Sequence, residues 1–173
     1  MDPHTTSTPP ASGRIDGWRE FQDRFRAMLA MASVCPGECR WADVDFARWP
    51  LGERAVTDLL QQWMLQHGNA SVVLLAGQFD VLQRTHPRWL GWRQTWSHRV
   101  ACWLASDEIV ADVRPMFLWR EQGADRAGIR MLDSVTAVGQ WTTDPAVLAL
   151  WQADFDAYLQ RSSEGMPCTT LGL

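Results

Sequence analysis

A chain of 173 residues with 46% apolar and 21% charged side chains has the composition of one globular domain, large enough to bury roughly 70% of its unfolded surface without disulfides or metal. All sixteen of its basic residues are arginine, which excludes a lysine nucleophile, a Schiff base and the lysine of a phosphate-binding P-loop. A net charge of −4 excludes a global positive field that would gather nucleic acid or an anionic membrane.

Residues 1–13 read as a disordered polar tail of Thr, Ser and Pro, without the basic and apolar regions of a secretory signal. Over 14–33, Ile15, Trp18, Phe21, Phe25, Met28, Leu29 and Ala32 line one face of a helix, closed by Pro36-Gly37. Residues 41–46 alternate Ala42, Val44 and Phe46 with polar partners and predict a short strand. Helical spacing returns over 52–67, and Gly68 is a left-handed stop. The continuous apolar run 71–76 predicts a central strand buried on both faces. Pro87 suits the first turn of a helix reaching about His98, and 99–104 follows as a third strand. This alternation is the βαβ pattern of a parallel sheet.

Further on, 116–119, 128–132 and 135–141 are three short extended runs. Asp144-Pro145 joins an aspartate N-cap to a proline at N1 and opens a last helix ending near Ser162. The expected architecture is a single α/β domain over 14–173, a three-layer sandwich with a mixed, mainly parallel sheet behind an N-terminal helix. No apolar run approaches the roughly 20 residues needed to span a bilayer. Four cysteines without an export signal read as free thiols, so a cytoplasmic location is expected.

Several short motifs stand in a telling order. Asp45-Phe46 and Trp49-Pro50-Leu51 precede the second helix, Val73-Leu74-Leu75 lies in the central strand, and His86-Pro87-Arg88 opens the next helix. Phe155-Asp156 and Gln160-Arg161-Ser162 lead to a tail ending Leu171-Gly172-Leu173. In this order and spacing, residues 40–173 resemble a family of small bacterial proteins with a phospholipase D-like fold, corresponding to half of the two-lobed enzyme. The resemblance implies catalysis through H-x-K-x4-D, and this chain departs from that motif. Its family-like position, 114–119, holds no histidine, and no histidine follows His98. The nearest imitation, His86-x-Arg88, has Arg93 in place of the aspartate. Inherited phosphodiesterase chemistry is not expected.

Other constellations are weighed against simpler roles. Cys35 and Cys39 are spaced to hold two corners of a zinc site, with Cys102 and Cys168 needed to complete it; ordinary thiols are the simpler reading, and neither metal nor cofactor is expected. The richest stretch is 84–99. Trp89, Trp92 and Trp96 form one helical stripe, surrounded by Arg84, His86, Arg88, Arg93, Arg99 and His98. Such a set can stack bases and neutralise phosphates, or it can pack its tryptophans on the sheet with arginines in solvent. Asp43 and Asp45 are expected on one strand face, with Asp80 and Asp133 at strand ends, where carboxylates act as acids, bases or turn formers. Three functions follow: a non-catalytic phospholipase D-like module for protein interaction or structure, a phosphate- or nucleic-acid-binding module using 84–99, or an unrelated hydrolase using sheet-edge carboxylates. A half unit exposes what its missing lobe would cover, so a protein partner or homodimer is expected, with no membrane role.

Overall fold

The computed structural model describes residues 11–166. Eight strands form one sheet: β1 (Ser12–Asp16), β2 (Glu38–Asp43), β3 (Ser71–Ala76), β4 (Val100–Ala105), β5 (Met116–Glu121), β6 (Ala124–Asp133), β7 (Val138–Thr142) and β8 (Ser162–Glu164). They lie in the order β1-β7-β6-β5-β2-β3-β4-β8. The helices are α1 (Trp18–Ala32), α2 (Arg54–Gln66), α3 (Asp80–Thr85), α4 (Pro87–Thr95) and α5 (Pro145–Gln160).

Alternation along the strands separates two cores. Cys39 and Trp41 of β2, Val72 and Leu74 of β3, and Phe117 and Trp119 of β5 face α1, α2 and α4. Ala42, Leu75, Met116 and Leu118 face the opposite way, onto Leu148, Trp151 and Phe155 of α5. Helices therefore cover both faces, and β3 is interior, as its apolar continuity predicts. Phe25 of α1 anchors the larger core, with its ring centroid 5.8 Å from Trp41, 5.1 Å from Trp49 and 5.5 Å from Phe117 in edge-on contacts.

The sheet is mixed but not mainly parallel. Only β2–β3 and β3–β4 are parallel; the other five pairings are antiparallel. The βαβ crossovers stop at β4, and β5, β6 and β7 follow one another through turns that need no crossover. Gln122 and Gly123, at φ 51 and 82, form the tight turn between β5 and β6.

Other boundaries also moved. The expected helix over 14–33 is split, because 12–16 pair with β7 and Gly17, at φ 99, turns the chain into α1. Ser12 and Gly13 of the expected tail thus stand in β1, and 1–10 lie outside the described residues. The strand expected at 41–46 ends at Asp43, and Phe46 takes a positive φ of 58 in the following turn. Gly68 is not a left-handed stop: His67 already turns extended, at φ −126. The helix after Pro87 ends at Thr95, preceded by the unforeseen α3. At α5 the sequence expectation holds, with the Asp144 carboxylate accepting from the Ala146 N–H at 2.9 Å. Among the described residues, no helix is long and apolar enough to cross a membrane.

Candidate functional site

The arginine–tryptophan segment does not form one surface. Trp89 and Trp92 point into the core, 0% and 6% exposed, and hold α4 on the sheet. Arg93 is buried as well. Trp96 is half-buried and donates from Nε1 to Gln61 Oε1 at 2.8 Å. Arg99 stacks on the Trp96 ring at 4.6 Å and donates to the carbonyls of Met64 (2.5 Å) and His67 (2.7 Å). Its charge thereby caps the C-terminus of α2, where the helix dipole favours a cation. Arg84, His86 and Arg88 lie at the other end of α4, about 13 Å away at 1.5 Å per residue.

That other end is a built corner. His86 joins α3 to α4 and is 4% exposed. Its Nε2 lies 2.8 Å from the Phe46 carbonyl oxygen. A carbonyl only accepts, so the neutral ring carries its proton on Nε2 and leaves Nδ1 bare. Burial holds this imidazole below its ordinary pKa, against the opposing hydrogen bond to Phe46. Gly52 closes over the bare nitrogen: a Cβ there would stand 3.1 Å from Nδ1 and 3.3 Å from the Thr85 oxygen. Arg88 donates to the Gly52 carbonyl at 3.0 Å.

Between Phe46 and Gly52 the loop presents Arg48. Its carbonyl accepts from Gln22 Nε2 at 2.6 Å, and its guanidinium lies 5.9 Å from the Trp18 ring centroid. The loop is held from below by Asp43, which accepts from the Val44 N–H (2.6 Å) and from Trp49 Nε1 (2.9 Å). Burial pushes the Asp43 carboxyl up to about 6, with those hydrogen bonds opposing the shift.

Among the described residues, Arg14, Arg26, Arg40, Arg54, Arg120, Arg126, Arg130 and Arg161 lie within 4 Å of a carboxylate. Arg48, Arg84 and Arg88 are exposed and make no such pair among the described residues. The acids nearest in the chain are engaged: Asp45 accepts from Ala47 N–H at 2.9 Å, and Glu53 pairs with Arg26. Asp80 lies one helical turn from Arg84 on α3.

The remaining sequence candidates are placed as follows. Asp43 and Asp45 do not share a strand face, because the strand ends between them. Asp133 accepts from the N–H groups of Val135 and Thr136, a turn-forming role that holds its pKa low. Cys39 is buried in β2, and desolvation raises its thiol pKa far above the ordinary value. Cys168 lies outside the described residues. Among the described residues no three His, Cys, Asp or Glu side chains are placed to hold a metal. At the family-like catalytic position, Met116, Phe117 and Leu118 are fully buried.

Sequence reasoning missed Arg48 and its loop, although the signal was there. Phe46 and His86 belong to two separate motifs of the family resemblance, and the structure joins them by a hydrogen bond forty positions apart.

No family model matches the sequence, and no curated protein matches it. Among solved structures, TrmBL2, described as an archaeal chromatin protein with a novel mode of DNA binding, superposes with a TM-score of 0.61 at 16% identity, over 90% of this chain and 55% of its own. NucT from Helicobacter pylori superposes with a TM-score of 0.56 at 8% identity, over 91% of this chain and 100% of its own. The likeness is one of fold. Both fit a phospholipase D-like architecture in coarse outline, and this chain spans about half the length of TrmBL2.

Proposed function

We propose that the protein is a non-catalytic phospholipase D-like module that binds the phosphate backbone of nucleic acid along the rim of Arg48, Arg84 and Arg88. What supports this reading is that three exposed arginines, none paired with a carboxylate among the described residues, stand on the two segments that the buried His86 joins through Phe46. Guanidinium groups not already neutralised retain their full attraction for phosphate. The net charge of −4 works against binding at long range, but screening within about 10 Å leaves a local cluster effective. The fold likeness to a DNA-binding chromatin protein supports the same direction. Absence of cleavage follows from the β5 position, where apolar Met116, Phe117 and Leu118 supply neither nucleophile nor cation.

Within the segment singled out from sequence, Arg84, Arg88 and the His86 between them serve the rim, and Trp89 and Trp92 support it from the core. Arg93, Trp96 and Arg99 lie towards the far end of α4 and serve packing. The test is fluorescence anisotropy of a labelled DNA duplex at low salt. Binding lost on replacing Arg48, Arg84 and Arg88 by alanine, with the fold intact, supports the reading; equal binding by that variant, or no binding by the parent, defeats it.

A second reading, association with another copy of the chain, draws on the open end of the sheet. There β1 is an edge strand, Leu132 is 59% exposed, and a shallow hollow of about 360 Å³ is lined by Gly13, Arg14, Leu132, Val138 and Gln140.

A further inference from the structure

We propose that His86 is the positioning residue of the arginine rim: its neutral ring pins loop 46–52 so that Arg48 is held beside Arg84 and Arg88. This rests on the proposed binding function but is argued from geometry alone. The imidazole is enclosed by the loop it holds. Phe46 takes one ring nitrogen at 2.8 Å, and Gly52 lies against the other, where even a methyl group would be 3.1 Å away. Arg88 then spans the same loop to the Gly52 carbonyl. Phe46 sits at a positive φ, a conformation a phenylalanine keeps only when its surroundings hold it.

Protonating Nδ1 would place an N–H and a charge against Gly52 in a buried pocket. The groups around the ring are Arg84 and Arg88 on its own helices, Arg48 in the loop, Asp43 and Asp45 before it, and Glu53 at the start of α2, which Arg26 engages. Burial opposes protonation, and Asp43 is committed to Trp49 and Val44. The imidazolium would carry its second N–H on the side that Gly52 closes, and crowding there loosens the loop.

Two expectations separate positioning from plain electrostatics. An added positive charge would by itself tighten phosphate binding, whereas release of the loop weakens it. Duplex affinity should therefore fall as pH drops below the ordinary histidine range. Glutamine at this position still offers an amide N–H to Phe46 and does not titrate; leucine fills the space without a donor. The experiment compares the parent with H86Q and H86L in duplex binding across pH and in trypsin cleavage after Arg48. Circular dichroism confirms the fold of each variant.

We expect H86L to be nicked after Arg48 roughly tenfold faster than the parent, the size of effect that loss of one buried hydrogen bond produces. H86Q should be nicked like the parent and should bind duplex with a flat acid profile. Cleavage of H86L no faster than the parent overturns the proposal. Acid weakening that persists in H86Q assigns the titration to Asp43 and overturns it equally. If the parent binds no duplex, the binding function fails, while the cleavage comparison still decides the role of His86.

Discussion

Asp43 is the residue whose replacement tests most sharply how the loop under the rim is held. Its carboxyl titrates at about 6 in the fold against 3.8 for the free group, because burial penalises the charge more than Val44 and Trp49 repay it. A folded pKa above the unfolded one means that the fold binds the proton more tightly. The contribution is fully present below 3.8 and is lost as pH rises through 6. A difference of about 2 between those two values amounts to about 3 kcal/mol in all, of which about 1 kcal/mol is lost between about pH 5 and pH 7. In D43N the charge is gone, but the amide can accept from only one of the two donors, which costs about 1–3 kcal/mol at every pH.

The assay is urea unfolding of the parent and D43N from acid to neutral pH. D43N should be the less stable at about pH 5, and the gap should close by about 1 kcal/mol towards pH 7. Taking the difference removes His86, whose lowered pKa acts with the opposite sign: its contribution is present above the ordinary histidine value and lost as pH falls through the folded one. A stability difference that stays flat across this window would refute the assignment of a buried, proton-binding carboxyl at Asp43.

R99A should lose about 1–2 kcal/mol in thermal or urea unfolding, because two terminal carbonyls of α2 lose their cationic partner, yet bind duplex like the parent. Equal loss of binding would restore the sequence segment 84–99 as one surface. Light scattering at micromolar concentration should give a dimer mass if the open face around Leu132 pairs two copies, and L132E should return it to the monomer. A monomeric parent removes the self-association reading.

The fold was legible where local chemistry and burial agree. Residues 71–76 could be only a buried strand, and Asp144-Pro145 only a helix start, and both stand so. The antiparallel half was not legible as such. The runs near 116, 128 and 138 were visible, as was the turn-like stretch around Gly123, but their direction depends also on the turn near Ala137, where an alanine with positive φ does not announce it. β1 and β8 escaped because each takes its conformation from a tertiary partner, β7 and β4 respectively, against local helical spacing or in a polar run.

Part of the candidate site was named from the sequence. Arg84, His86 and Arg88 were singled out from their composition, and the packing role allowed to the tryptophan stripe agrees with the burial of Trp89 and Trp92. Arg48 was not singled out, because what ties its loop to the 84–88 segment is the long-range bond from His86 to Phe46 and the packing of Gly52 against the ring.

The central claim is that the three rim arginines meet phosphate. The most direct measurement is the salt dependence of duplex binding by the parent and by R88A, plotted as log Kobs against log salt. Three phosphate contacts predict a slope of about −2.7, so affinity should fall roughly 40-fold between roughly 50 and 200 mM salt. R88A should make the slope about 0.9 shallower, with similar losses for different duplex sequences. A slope unchanged in R88A, or near zero in the parent, would contradict the account.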